Sequence, residues 1–365
     1  MLSVVRRRLG IVVVVALAWS VSCGGDSDDA GPVDATSGAS EAAVAPSAAA
    51  PPPSTDPPAP AADPVTIERA TAVRDLPRAD PRAPALVVTP GVNIPNPFVL
   101  PEDGTYHLYS SQIGWYDPNV EYRTSATFTA WPATAAEALP HVPAWSVGGF
   151  TWAPDVRPIG DRYVLYMTAR QPEPEMQCIG VAVADRPEGP FESHDDQIVC
   201  QEQRLGSIDP RSFVDENGAL WLHWKSDDNA DVEGMSTSSI YAQPLAPDGL
   251  SLVGEPVRIL EVDQPWEGRI VEAPDMVLIE DQHWLFYSGN WFNQPAYAIG
   301  AARCEGPAGP CEKPFPVPLL ASNDQGAGPG EHSTFVDDRG RLWMVYSPIA
   351  QQYVETTPRP VALAR

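Results

Sequence analysis

Residues 265–289 read PWEGRIVEAPDMVLIEDQHWLFYSG. A small residue and a proline, Ala273-Pro274, open a short apolar strand from Asp275 to Ile279; a polar turn follows over Glu280 to Gln282, and an aromatic-rich strand closes the unit from His283 to Tyr287. Short apolar runs bounded by turn residues are the mark of a β-hairpin. The pattern recurs as NPFVLPEDGTYHLYSS from Asn96, APDVRPIGDRYVLYMTA from Ala153, DPRSFVDENGALWLHWKS from Asp209 and HSTFVDDRGRLWMVYSP from His332. Aligning Pro97, Pro154, Pro210, Pro274 and Ser333 gives spacings of 57, 56, 64 and 59 residues.

A hairpin unit alone leaves one sheet face uncovered. Stacking repeated sheets radially about an axis buries those faces and leaves short edges, so the repeats predict an all-β fold, a five-bladed β-propeller over residues 85–365. Ala85 to Val88 reads as a strand that helps close the ring.

The chain ahead of the repeats has a different character. Met1 to Ser22 carries Arg6, Arg7 and Arg8 and then an apolar run from Leu9 to Val21, which reads as an export signal over residues 1–22. The following Cys23, preceded by Ser20-Val21-Ser22 and succeeded by GGDSDD, resembles the lipobox of bacterial lipoproteins, which implies a lipidated Cys23. Residues 23–84 are rich in Pro, Ala, Ser and Asp, a composition that cannot bury enough apolar surface to offset its ordering entropy, and read as a tether and lead-in. The expected location is extracytoplasmic, lipid-anchored to the cell membrane or secreted.

The formal charge is −25. That excludes nucleic acid as a natural partner and leaves membrane contact to the lipid anchor. A monomer is expected. Beyond Cys23, the cysteines form two locally spaced pairs, Cys178 with Cys200 and Cys304 with Cys311, suited to disulfides in an oxidising compartment.

In a propeller the starts of the innermost strands line the central channel, and here they place Asn96, Ala153, Asp209, Glu272 and Glu331-His332 around it. Converging carboxylates are what glycosidic hydrolysis requires: one protonated to release the leaving oxygen, one ionised to activate water. Glu272 follows Arg269 and precedes Pro274, and a nearby Asp209 is expected to raise its pKa by like-charge repulsion.

The motifs FTWAPDV (150–156), SIDPRSFVDENGALWLHWKSDDN (207–229), PWEGRIVEAPDMV (265–277), YAIGAARCEGPAGPC (297–311) and GPGEHSTF (328–335) together resemble family 43 glycoside hydrolases, the arabinanase, arabinofuranosidase and β-xylosidase group. The resemblance implies inverting hydrolysis of arabinose- or xylose-containing glycans, oligo- or polysaccharide, with Glu272 as general acid and Asp209 as the residue that tunes it. The general base implied by the family is an aspartate of an Asp-Pro pair, and here Asn96 precedes Pro97. An amide cannot take a proton from water. Asp117 and Glu121 in the following loop are candidate replacements, and a non-catalytic cell-surface glycan-binding lipoprotein is the alternative reading. Where the family carries a histidine after GPG, Glu331 stands and His332 follows; no cofactor is required, but this pair could hold a channel cation such as calcium.

Loop and strand-start aromatics offer sugar platforms. Trp152 and Trp266, each just ahead of a channel motif, are the preferred contacts, joined by Trp115, Trp291 and Arg269. Trp221, Trp224, Trp284 and Trp343 fall inside strands and read as core, as His107, His223 and His283 read as structural. Asp155 and Asp275, beside strand-opening prolines, are expected to bond local backbone N–H groups.

Overall fold

The computed structural model describes residues 94–112, 117–230, 234–323 and 326–349 together with the strands 86–87 and 362–364, all within the compact unit Pro60–Arg365. The export signal, Cys23, the tether, Trp115 and Tyr116 lie outside the described residues.

Strand β1 (Leu86–Val87) precedes four hairpin-rich sheets in chain order. The first holds β2 (Phe98–Glu102), β3 (Thr105–Ser111), β4 (Val120–Ser125) and β5 (Ala136–Glu137); the second β6 (Val147–Ile159), β7 (Arg162–Pro172), β8 (Glu175–Ala184) and β9 (Glu192–Ser193). The third holds β10 (Ser207–Val214), β11 (Leu220–Ser226), β12 (Ser239–Pro244) and β13 (Val257–Glu261), and the fourth β14 (Val271–Ile279), β15 (Gln282–Gly289), β16 (Ala298–Cys304) and β17 (Cys311–Glu312). The last is built from β18 (Ala327–Val336), β19 (Leu342–Ile349), β20 (Ala362–Ala364) and β1, in the order β1-β20-β19-β18. Pairing within every sheet is antiparallel, and Leu86 lies opposite Leu363. The strand read at Ala85 to Val88 is therefore an outer strand of the last sheet.

The first strand of each sheet packs against the first strand of the next in a closed cycle, β2 to β6, β10, β14, β18 and back to β2. Apolar clusters fill the spaces between consecutive sheets. Tyr109 and Val120 meet Leu165 and Met167; Tyr166 and Val181 meet Leu222 and Trp224; Ile240 and Ala242 meet Val271 and Leu285; Phe286 and Ile299 meet Met344 and Tyr346; and Phe335 and Val345 meet Val99 and Leu108. Each sheet thus buries both faces, at roughly 25 cal/mol per Å² of apolar surface removed from water. This is an all-β propeller fold. No helix of the described residues is long and apolar enough to cross a membrane.

The hairpin of residues 265–289 shows how sequence sets local geometry. Glu280 and Asp281 both take positive φ, 50° and 64°, between Ile279 and its partner Gln282. Two positive φ values define the tight turn whose twist matches flanking strands. Upstream, the pairing of β14 with β15 shifts between Glu272 and Asp275, where Ala273 has φ 48° and Pro274 has no N–H to offer. The same irregularity falls at Ala153 (φ 47°), Asp209 (φ 55°) and Glu331 (φ 50°), and Asn96 (φ 47°) holds the position just before β2. The recurring small residue and proline are thus the signature of a bulge that re-aims side chains at the start of each inner strand.

The last repeat has no proline, and its positive φ corrects the alignment. Glu331, not His332, matches Asp209 and Asn96, so His332 rather than Ser333 takes the proline's place. Second-strand hydroxyls then fix the bulges of neighbouring sheets: the N–H groups of Ala153, Asp209 and Glu331 donate to Ser111 Oγ, Thr168 Oγ1 and Ser288 Oγ at 2.8, 3.1 and 3.1 Å. The N–H of Ala273 departs from this pattern and donates to the side chain of Asp209 at 3.0 Å.

Both expected disulfides are present, Cys178 with Cys200 and Cys304 with Cys311. Trp224 is buried against Tyr241 and donates to Gln201. Trp221 and Trp343 each donate to the aspartate that caps their own hairpin, Asp215 and Asp337.

Candidate functional site

The bulges converge on a cavity of about 550 Å³ lined by Asn96, Trp152, Asp209, Lys225, Asp227, Glu272, Trp291, Phe292 and Glu331 among others. Glu272 is buried. Its Oε1 accepts a hydrogen bond from the Tyr297 hydroxyl at 2.6 Å, and its Oε2 lies 3.2 Å from Lys225 Nζ. Lys225, also buried, stands 3.3 Å from Asp227 as well. Its ammonium is held above the ordinary lysine range because the charges of Glu272, Asp227 and Asp209 outweigh the burial that opposes them.

Asp209 completes the cluster, with Oδ2 accepting the Ala273 N–H. Its carboxyl is pushed up to about 7, first by burial and then by the charge of Glu272, with Lys225 opposing. The repulsion expected from the sequence therefore acts on Asp209. Tyr297 is likewise raised well above the ordinary phenol range by burial and the neighbouring Glu272 charge, so it remains a proton-bearing donor to that carboxylate.

Asn96 lines the same cavity. Its Oδ1 accepts from Ser111 Oγ at 2.7 Å, and that hydroxyl in turn accepts the Ala153 N–H. Neither proposed stand-in for its missing carboxylate reaches it. Glu121 is buried in an ion pair with Arg123 at 2.7 Å and accepts from Ser110, and Asp117 is exposed and outside the cavity lining.

The aromatic expectations divide. Trp152 and Trp291 line the cavity, with exposed Phe292 beside them. Arg269 sits over Trp291, 5.9 Å from the ring centre, and touches Met235. Trp266 lies elsewhere. Its indole stacks on Tyr287 and bonds Gln264, and Gly289 and Gly300 pack so close that a Cβ on either would strike the ring. The residue directly ahead of a channel motif in sequence is here turned into the fourth sheet's packing.

Deeper along the same inner strands lies a second cluster. Arg211 places Nη1 3.3 Å from Asp155 and Nε 3.9 Å from Asp275, and its Nη2 donates to the His332 carbonyl. Asp155 accepts the Ser212 N–H and hydroxyl, and Asp275 accepts the Thr334 N–H at 2.6 Å. These are bonds to the next sheet's backbone rather than to the local N–H groups expected from the sequence, and they make both aspartates structural. The buried His332 ring faces Ser288 at 3.5 Å and is lowered to about 3 by burial and by Arg211. His107 bonds Tyr122, His223 the Pro307 carbonyl, and His283 faces Glu216.

No group of three or more His, Cys, Asp or Glu among the described residues is placed to hold a metal ion. Glu331 supplies one carboxylate to the cavity, while Arg211 already sets a cation against the back of His332.

Against this geometry, residues 87–365 match the family model for glycosyl hydrolases family 43, a segment that takes in Asn96, Asp209, Glu272 and Glu331. The chain belongs to that family. It is 24% identical over 274 residues to extracellular endo-alpha-(1->5)-L-arabinanase 2 of Bacillus subtilis (strain 168), covering 68% of this chain and 54% of the relative. A shorter match, 41% over 73 residues, joins it to xylosidase/arabinosidase 43A of Humicola insolens, covering 20% of this chain and 21% of that one. The chain thus spans about half the length of the arabinanase and less of the xylosidase/arabinosidase. A thermostable family-43 glycoside hydrolase of known structure superposes with a TM-score of 0.68 at 26% identity, over 76% of this chain and 92% of that one.

Lys225, Asp227 and Tyr297 are the site residues that sequence reasoning missed. A lysine inside the otherwise apolar and aromatic run LWLHWKS was the available signal, since an unpaired charge is rarely buried. Tyr297 stands ahead of a third strand, away from the inner-strand starts that carry the other channel residues.

Proposed function

We propose that this protein hydrolyses O-glycosyl bonds in arabinose- or xylose-containing glycans, with inversion at the anomeric carbon. Glu272 is the general acid and Asp209 the residue that tunes the cluster. The observation that carries this reading is Glu272 itself: a buried carboxylate in a cavity, bracketed by Tyr297 and Lys225 and beside Asp209. Tyr297 orients one oxygen, leaving the carboxyl group to present its proton to the leaving oxygen when it is protonated. Trp152, Trp291 and Phe292 provide flat apolar faces for sugar C–H groups, and Arg269 braces Trp291 from the rim. The five sheets serve as five blades around this site. No step requires a metal.

The relatives named as extracellular support action outside the cytoplasm, and the lipobox-like Cys23 supports tethering by lipid. A second reading, a glycan-binding lipoprotein without turnover, is favoured by Asn96, whose amide replaces the family's base. Hydrolysis of an aryl α-L-arabinofuranoside, an aryl β-D-xyloside and arabinan by wild type and Glu272→Gln separates the two. Turnover by wild type that falls by about 10²- to 10⁴-fold in the variant is the expected result; binding of these glycans without turnover by wild type would favour the second reading.

A further inference from the structure

Four carboxylates line the cavity: Asp209, Asp227, Glu272 and Glu331. Asp227 and Glu272 share the Lys225 ammonium, and Asp209 holds the Ala273 N–H. Glu331 stands at the bulge position equivalent to Asn96, with φ 50° against 47°, and its strand β18 packs directly on β2, the strand that Asn96 precedes. The two residues are thus matched positions on adjacent inner strands facing one cavity.

Glu331 is also tied to the proposed acid. Its N–H donates to Ser288 Oγ at 3.1 Å, and the preceding Gly330 lies so tightly on Tyr297 that a Cβ there would stand 1.9 Å from a ring carbon. The same Tyr297 hydroxyl donates to Glu272. Glu331's charge is felt at both Asp209 and Tyr297. A glutamate is one methylene longer than the aspartate of the usual base position, which lets it reach the shared cavity from the neighbouring strand.

We propose that Glu331 is the general base of this site, replacing the carboxylate that Asn96 lacks. The inference rests on the hydrolase reading. In the step, a water oxygen bonds to the anomeric carbon as the bond to the leaving oxygen breaks; Glu331 takes the water's proton, and Glu272 gives its own to the leaving oxygen. Each carboxyl group then re-equilibrates with solvent, and the net reaction is addition of one water across the glycosidic bond.

The test uses the full chain and whichever of the aryl α-L-arabinofuranoside, aryl β-D-xyloside and arabinan wild type hydrolyses. Glu331→Gln is expected to lower kcat by about 10²- to 10⁴-fold, with KM little changed, and azide ion should restore turnover as a glycosyl azide of inverted configuration. Asn96→Asp in the Glu331→Gln background should recover hydrolysis by returning a carboxylate to the matched position. If Glu331→Gln keeps the wild-type rate while Glu272→Gln loses it, the hydrolase reading stands and the base assignment is overturned. If wild type hydrolyses none of the three, both fall together. Should Glu331→Gln fail to fold, Glu331→Asp carries the test: a loss of roughly tenfold or more, rescued by azide, supports the assignment, and an unchanged rate overturns it.

Discussion

Two buried cations stand among carboxylates along the inner strands, Lys225 at the cavity and Arg211 deeper in. Arg211 spreads a planar guanidinium between Asp155 and Asp275, whose remaining oxygens are occupied by backbone N–H groups of Ser212 and Thr334. Lys225 offers a compact ammonium to Asp227 and Glu272, and the other oxygen of Glu272 is met by a phenol rather than by backbone. The difference lies in where the acceptor oxygens are engaged. Carboxylates bonded to the neighbouring sheet's backbone hold the ring in register, whereas a carboxylate bonded to side chains in a cavity can exchange a proton with a substrate.

That contrast breaks most sharply at Arg211. Arg211→Met strands two buried aspartates and is expected to cost about 3–5 kcal/mol of stability, read by urea denaturation, while catalysis per folded molecule persists. Lys225→Met should do the opposite. Removing the cation takes from Glu272 one of its two partners, so kcat/KM should fall by about tenfold or more, with a smaller loss of stability than at Arg211. An unchanged kcat/KM would mean that Lys225 does not position Glu272.

Asp209 sharpens the comparison through pH. The folded state keeps its proton up to about 7, whereas the unfolded chain releases it in the ordinary aspartate range, so stability declines as pH rises through that window. Asp275, raised to about 6, adds slope of the same sign. Asp209→Asn, which tolerates the positive φ, should flatten the decline without abolishing it, as measured by thermal midpoints from pH 4 to 8. The smallest effect is expected from Thr168→Val, which leaves the buried Asp209 N–H without its acceptor and should cost about 1–3 kcal/mol; a loss of Tm beyond about 15 °C would show that the bulge hydroxyls carry more of the fold than this.

Most of the fold was legible because its punctuation is chemical. A small residue before proline marks a bulge, and turn residues mark each hairpin, so four repeats align without ambiguity. The last repeat slipped by one residue because His332 stands where proline would be, and only the backbone angle of Glu331 restores the register. The cavity carboxylates Glu272 and Asp209 were legible from their places at strand starts. Lys225 was not, since it lies on a second strand and reaches the cavity through ring geometry, and Trp266 misled because sequence adjacency to a motif does not say which way an indole turns.

The pairing of Leu86 with Leu363 has a consequence for how the molecule is made. Four sheets are assembled from strands close together in the chain and can form as each segment is synthesised. The last sheet must join strands from opposite ends of the propeller, so completing it waits for residues 362–364. Contacts of such long sequence separation are slow to form because loop closure must precede them. Until then β19 keeps an unpaired edge, and that interval is when a newly made chain most needs protection from association with its neighbours.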